Sequence, residues 1–185
     1  MIYLNDDIAH YDWQAALPLL SEQRREQVLR FRYELGRCTC VAAYMLLCEG
    51  LQREYGIMEP PVFDYGEHGK PLLKGHPDIH FNMSHCSEAA ICVLSERPVG
   101  VDVERIHDAK PSLVSYTMNP AEQRLIEQSA NPAEAFTRLW TQKEAVLKLC
   151  GTGITDELKT ALSTFSGHME TVVNQERQYI YTIAT

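Results

Sequence analysis

The residues best suited to chemistry fall in two runs. In Val99-Gly100-Val101-Asp102-Val103-Glu104, valine alternates with glycine, aspartate and glutamate. Strict alternation predicts a half-buried strand, with the valines toward a core and Gly100, Asp102 and Glu104 on the other face. Side chains at i and i+2 leave a strand roughly 7 Å apart, so both carboxylates can reach one ion. In Trp140-Thr141-Gln142-Lys143-Glu144-Ala145-Val146-Leu147-Lys148, the residues Trp140, Glu144 and Lys148 recur at four-residue intervals and form one stripe of a helix. Ala135, Phe136, Leu139 and Val146 make the apolar stripe beside it. Strand and helix are expected to meet around a divalent cation, with Asp102, Glu104 and Glu144 as its ligands.

Two like charges about 4 Å apart repel by about 4 kcal/mol at an effective dielectric near 20. Solvent, a proton or a cation must offset that. Oxygen donors without a His or Cys cluster favour Mg2+ or Mn2+ over zinc. Asp-x-Glu alone is equally consistent with a solvent-facing strand. Glu144 and Lys148 read either as a surface ion pair or as a metal ligand or proton acceptor beside a cation for phosphate.

Other stretches carry two readings in the same way. Asn82-Met83-Ser84-His85 ends an alternating segment, where Ser84 and His85 either bond phosphate oxygens or serve structure alone. Lys70 in the turn from Gly66 to Pro71 is a phosphate donor or a solvated side chain. Glu122 follows Asn119-Pro120-Ala121, and Glu134 follows Asn131-Pro132-Ala133; a capping box accounts for both. Neither a P-loop nor a Gly-x-Ser-x-Gly nucleophile motif is present.

The elements that must position these residues can be read in order. Met1 to Leu4 is a short strand. Ser21 caps a helix running through Val28 and Phe31, and a long helical pattern from Leu35 to Tyr55 stops at Gly56. Strands follow at 62–65, 79–83, 89–94 and 99–104, with a hairpin expected across Ser95-Glu96-Arg97-Pro98. Two helices begin at Asn119 and Asn131, the second ending at Gly151 and Gly153, and Tyr179 to Ile183 is a closing strand. This order predicts an α+β fold of two comparable lobes, 1–98 and 99–185, meeting near Pro98. No residue-level internal repeat accompanies it.

A chain of 185 residues fits one domain or two small lobes on a shared core. The net charge of −8 argues against nonspecific nucleic-acid binding. No signal peptide is evident and no apolar run approaches the ~20 residues of a membrane span. Six cysteines without a Cys-x-x-Cys pair read as reduced, mostly buried thiols, which suits a cytoplasmic protein. Arg24, Arg25, Arg30, Arg32 and Arg37, mixed with Glu22, Glu26 and Glu34, form either a basic patch for an acidic partner or a solvated helix laced with ion pairs.

Four motifs in a fixed order resemble the 4'-phosphopantetheinyl transferases, in particular the larger single-chain Sfp type. They are Gly69-Lys70-Pro71, Phe81-Asn82-Met83-Ser84-His85, Val99 to Glu104, and Trp140-x-x-Lys143-Glu144-Ala145-x-x-Lys148. The resemblance implies two α+β lobes related by a pseudo-twofold axis, each an antiparallel sheet packed on a long helix, with coenzyme A in the cleft between them. It implies transfer of the phosphopantetheine arm to a serine of an apo acyl or peptidyl carrier protein, with release of adenosine 3',5'-bisphosphate. Fatty-acid, polyketide and nonribosomal-peptide carriers all remain open.

By the same resemblance, Asp102, Glu104 and Glu144 would hold Mg2+, with Mn2+ as a substitute. Glu144 would deprotonate the serine and Lys148 would stabilise the leaving phosphate. Lys70, Pro71, Asn82, Ser84, His85, Arg37 and Arg30, with Lys148, would hold coenzyme A, while Glu122, Trp140 and Lys143 are further possible members. Two lobes in one chain suggest a monomer, and the second lobe is short for the larger type. A Mg2+-dependent phosphoesterase or nuclease is the alternative enzyme, although Arg105 and Ile106 after Glu104 do not continue the usual Glu-x-Lys pattern. A non-catalytic nucleotide or carrier-protein binder is the third reading.

Overall fold

The computed structural model describes residues 1–153 and 156–185. Its first half contains β1 (Ile2–Asn5), α1 (Trp13–Ala16), α2 (Glu22–Arg30), α3 (Glu34–Tyr55), β2 (Phe63–Tyr65), β3 (Pro71–Leu73), β4 (His80–His85) and β5 (Ala90–Ser95). The second half contains β6 (Gly100–Arg105), α4 (Pro111–Thr117), α5 (Pro120–Glu127), α6 (Pro132–Cys150), α7 (Ala161–Thr164), β7 (Met169–Asn174) and β8 (Tyr179–Ala184). Two three-stranded antiparallel sheets, ordered β1-β5-β4 and β6-β8-β7, make the frame, and β2-β3 is a small hairpin beside them. The fold is therefore α+β, as its sequence predicts.

Local chemistry explains most of the element boundaries. The Ser21 side chain accepts the Arg24 amide at the start of α2. Gly56 and Gly151 take left-handed conformations, with φ of 67° and 71°, that end the two long helices. Asn119 and Glu122 close a full capping box at α5. At α6 the box is only half built: Asn131 accepts the Glu134 amide, but the Glu134 carboxylate turns to Arg138 and Gln175 instead.

Period-two alternation divides the apolar side chains of β5 between two clusters. Ala90, Cys92 and Leu94 of β5 face α3, where Val41, Tyr44, Leu47 and Leu51 are buried. Ile91 and Val93, from the opposite face of β5, join Val99, Val101, Val103 and Ile183. The two sheets thus share the second of these clusters. Each such aliphatic side chain, fully buried, contributes about 1.5–3 kcal/mol.

One expectation about β6 needs correction. It does not form a hairpin with β5, because β1 and β4 already occupy both margins of β5; the chain crosses at Pro98 and pairs β6 with β8. Of the two readings of its polar face, the one in which the long helix covers it is the one seen. Helix α6 lies on it so closely that a Cβ on Gly100 would overlap the Ala145 carbonyl. Asp102 consequently retains only 3% exposure. The sheets are joined where Asn82 Oδ1 of β4 accepts the Val101 N–H at 3.0 Å. Among the described residues no helix is long and apolar enough to cross a membrane.

Candidate active site

Helix α6 on strand β6 brings the two polar runs face to face. Lys148 Nζ donates to Asp102 Oδ1 at 2.6 Å and to Ser84 Oγ at 2.9 Å, and Ser84 Oγ donates to the same Asp102 oxygen at 2.8 Å. One ammonium therefore ties together β4, β6 and α6. The i,i+4 pair between Glu144 and Lys148 does not form; Lys148 pairs with Asp102 instead. The reason is burial, since an aspartate this deeply covered needs a fixed counter-charge.

Negative charge exceeds positive charge around this centre. Burial, reinforced by the Asp102 charge, raises the Glu104 carboxyl to about 7, although a Trp140 hydrogen bond, Lys148 and His107 act against the rise. Burial and then Asp102 also push Glu144 up. Asp102 Oδ2 and Glu144 Oε1 are buried and have no hydrogen-bond partner. Both glutamates thus feel the Asp102 charge. Even so, among the described residues no group of three or more His, Cys, Asp or Glu side chains is arranged to hold a metal ion. The chemistry open to such a centre is to take up a proton or to bind a cation through all-oxygen donors.

A pH dependence follows from Glu104. Its folded-state pKa of about 7 lies above the ordinary 4.5, so the folded protein holds this proton more tightly than the unfolded chain. The associated stability is fully present below pH 4.5 and lost as pH rises through about 7. Without divalent cations, thermal unfolding temperature should fall over that interval, and Glu104→Gln should flatten the fall. An unchanged slope in the variant would show that Glu104 is not the titrating group.

The remaining expected site residues fall in different places. His85, beside Ser84, is pushed below the ordinary histidine range by burial and by the charges of Lys148 and Arg24, so it is mainly neutral at pH 7. Trp140 lies against Glu104 and stacks on Phe136. Lys70 donates to the Leu149 and Val99 carbonyls at 3.0 and 3.4 Å, closing the end of α6. Pro71 opens β3 opposite Tyr65. With Glu144, Lys148 and Gly151, Lys70 and Pro71 line a cleft of about 250 Å3. The Asn82 carboxamide oxygen is used in the join between the sheets. Arg30 is exposed and lies 3.8 Å from Glu26, while Arg37 bonds the Phe31 carbonyl and covers the Trp13 ring.

Glu122 and Lys143 form a buried ion pair with each other at 2.8 Å. One member of the site's electrostatic field escaped the sequence reading. Arg24, grouped there with a surface patch, is 9% exposed, wedged between the Tyr44 and Phe63 rings, and its charge reaches His85. Its place four residues before Val28, on the inward stripe of α2, was the available signal.

Comparison with known proteins places this geometry in a family. The profile of the 4'-phosphopantetheinyl transferase superfamily matches residues 98–182, which include β6 and all of α6. The chain is 30% identical over 169 residues to 4'-phosphopantetheinyl transferase psf-1 of Bacillus pumilus, covering 90% of this chain and 71% of the relative. To a 4'-phosphopantetheinyl transferase of Bacillus subtilis it is 25% identical over 158 residues, covering 83% and 70%. To the 4'-phosphopantetheinyl transferase AcpT of Salmonella typhi it is 31% identical over 123 residues, covering 60% and 64%. Identity of 30% over 90% of this chain and 71% of psf-1, rather than any single motif, decides the matter: this chain belongs to the 4'-phosphopantetheinyl transferase superfamily.

Proposed function

We propose that this protein transfers the 4'-phosphopantetheine arm of coenzyme A to a serine hydroxyl of an apo acyl or peptidyl carrier protein. The observation that carries the reading is Lys148. Its ammonium joins Ser84 of the first sheet to Asp102 of the second, beside two buried carboxylate oxygens that lack donors. Such a centre suits a diphosphate, whose charge must be neutralised and whose reacting phosphorus must be aligned.

Asp102, Glu104 and Glu144 are the residues that would hold a magnesium ion, with Asp102 Oδ2 and Glu144 Oε1 as the oxygens free to do so. Bound there, the cation would neutralise the diphosphate and polarise the phosphorus under attack. The chain's own groups supply the rest. Glu144, which burial and then the Asp102 charge push above the ordinary carboxylate range, accepts the serine proton as the serine oxygen bonds to phosphorus. The bond from that phosphorus to the bridging oxygen breaks, and adenosine 3',5'-bisphosphate leaves with the electron pair. Lys148 stabilises the charge it carries away. Ser84 and the neutral His85 hold phosphate oxygens, and the cleft beside Lys70 and Pro71 receives the nucleotide end.

The larger organisation belongs to the same reading. Residues 1–98 and 99–185 form two lobes related by a pseudo-twofold axis, with the site between them. Connectivity supports this: β1, α3, β4 and β5 follow one another as β6, α6, β7 and β8 do, with the last strand central in each sheet. The carrier docks on basic groups near α2. With Arg24 buried and Arg25 bound to the Leu17 and Leu20 carbonyls, that role falls to the exposed Arg30 and to Arg32. The protein works as a cytoplasmic monomer, a setting consistent with its free cysteines.

One mixture tests the proposal: protein, coenzyme A, Mg2+ and an apo carrier, with the carrier weighed by mass spectrometry. A gain of one phosphopantetheine is expected. An unmodified carrier with degraded coenzyme A would mean a phosphoesterase, and binding with neither change would mean an inactive binder.

A further inference from the structure

Beside the carboxylates runs a line of hydroxyls that the proposed reaction does not use. Thr141 Oγ1 of α6 lies 2.9 Å from Thr182 Oγ1 of β8, which lies 2.9 Å from Thr171 Oγ1 of β7. Gln142 Nε2 of α6 donates to Thr171 Oγ1 at 3.2 Å, and Thr141 Oγ1 bonds the Arg138 carbonyl at 3.0 Å. Thr141 and Thr182 are wholly buried.

The ends of this chain dictate its direction. A carboxamide nitrogen only donates, a carbonyl only accepts, and each hydroxyl owns one proton. Every proton must therefore point the same way, from Gln142 through Thr171, Thr182 and Thr141 to Arg138. Removing one link leaves buried neighbours unpartnered, so the four side chains act as a unit.

Its location gives the unit a task. Thr182 is the cross-strand partner of Asp102, and such partners share a sheet face. On α6, Thr141 and Gln142 lie less than one turn before Glu144, and Ala145 rests on Gly100 one turn beyond Thr141. The Gly100 contact and the Lys148–Asp102 pair hold the helix on β6. The hydroxyl chain adds a separate hold on β8 and β7 beside the Glu144 turn.

We propose that Thr141, Thr182, Thr171 and Gln142 are positioning residues that fix Glu144 against Asp102 and thereby set the site's affinity for a divalent cation. The proposal rests on the transferase reading above but is tested apart from it. Thr182→Val keeps the shape and removes the hydroxyl, whereas Thr182→Ser keeps the hydroxyl. Mn2+ binding to each folded protein is titrated by electron paramagnetic resonance. In parallel, transfer is measured against Mg2+ and against coenzyme A.

For Thr182→Val the Mn2+ dissociation constant should rise about tenfold, with the half-saturating Mg2+ concentration rising alongside. KM for coenzyme A should move less than about twofold, and Thr182→Ser should bind Mn2+ within about twofold of wild type. Unchanged Mn2+ binding in Thr182→Val, whatever its loss of thermal stability, would make the chain purely structural and overturn the proposal. So would wild-type protein that binds no Mn2+. If Thr182→Val does not fold, the half-buried Thr171→Val decides the question: about threefold weaker Mn2+ binding supports the proposal and unchanged binding overturns it. Mn2+ binding without carrier modification by the wild type would reject the transferase reading alone.

Discussion

Asp102→Ala should lower carrier modification by about a thousandfold while leaving a folded protein, in line with the loss of a preorganised electrostatic group. Asp102 is the point on which the centre converges. Its Oδ1 accepts from both Lys148 and Ser84, its Oδ2 has no donor, and its charge acts on both glutamates. Removing it takes away a proposed cation ligand and the anchor of Lys148 together. Folding survives because the side chain of Lys148 keeps 29% exposure and can turn to water, so no lone charge is trapped. Removing Asp102 also relieves the repulsion it imposes on Glu104 and Glu144. Initial rates by mass spectrometry and a thermal melt check both halves of the expectation. Turnover within about tenfold of wild type would remove Asp102 from the reaction.

Lys143→Met should cost about 3–5 kcal/mol of stability, the usual penalty for orphaning one member of a buried ion pair. Lys143 is wholly buried, with Nζ 2.8 Å from Glu122 Oε2 and 2.8 Å from the Leu158 carbonyl it donates to. The same glutamate oxygen accepts the Asn119 amide at the start of α5. The lysine thus pins α6 to α5 and to the segment containing Leu158. Without it, a carboxylate at 6% residue exposure keeps the Asn119 amide but loses its counter-charge. A compensating Glu122→Leu should recover much of the loss, because a buried pair replaced whole by apolar groups is often neutral. Urea unfolding of the two single variants and the double variant closes that cycle. A single-variant loss under about 1 kcal/mol would mean the pair is solvated and contributes little.

These two residues show what the sequence could and could not reveal. Periodicity disclosed that Trp140, Glu144 and Lys148 share a helix stripe, and that Asp102 and Glu104 share a strand face. Cap residues located the ends of α2, α3, α5 and α6 because those signals are local. Partner choice was hidden, since it depends on elements far apart in the chain. Lys148 chose Asp102 over the nearer Glu144, and Lys143 chose a glutamate on another helix. Lys70 spent its donors on carbonyls, and Arg24 moved from a charged surface run into an aromatic sandwich. The false hairpin has the same origin: a short turn proposes a neighbour, but the margins already filled by β1 and β4 decide.

The join at Asn82 has a consequence for how the molecule coexists with its own kind. A sheet margin with free amides and carbonyls is a template on which foreign strands polymerise. Along β6, Asn82 takes the Val101 amide and Lys70 takes the Val99 carbonyl, so two side chains stand where another strand would. At those two positions this margin is blocked without lengthening the ribbon.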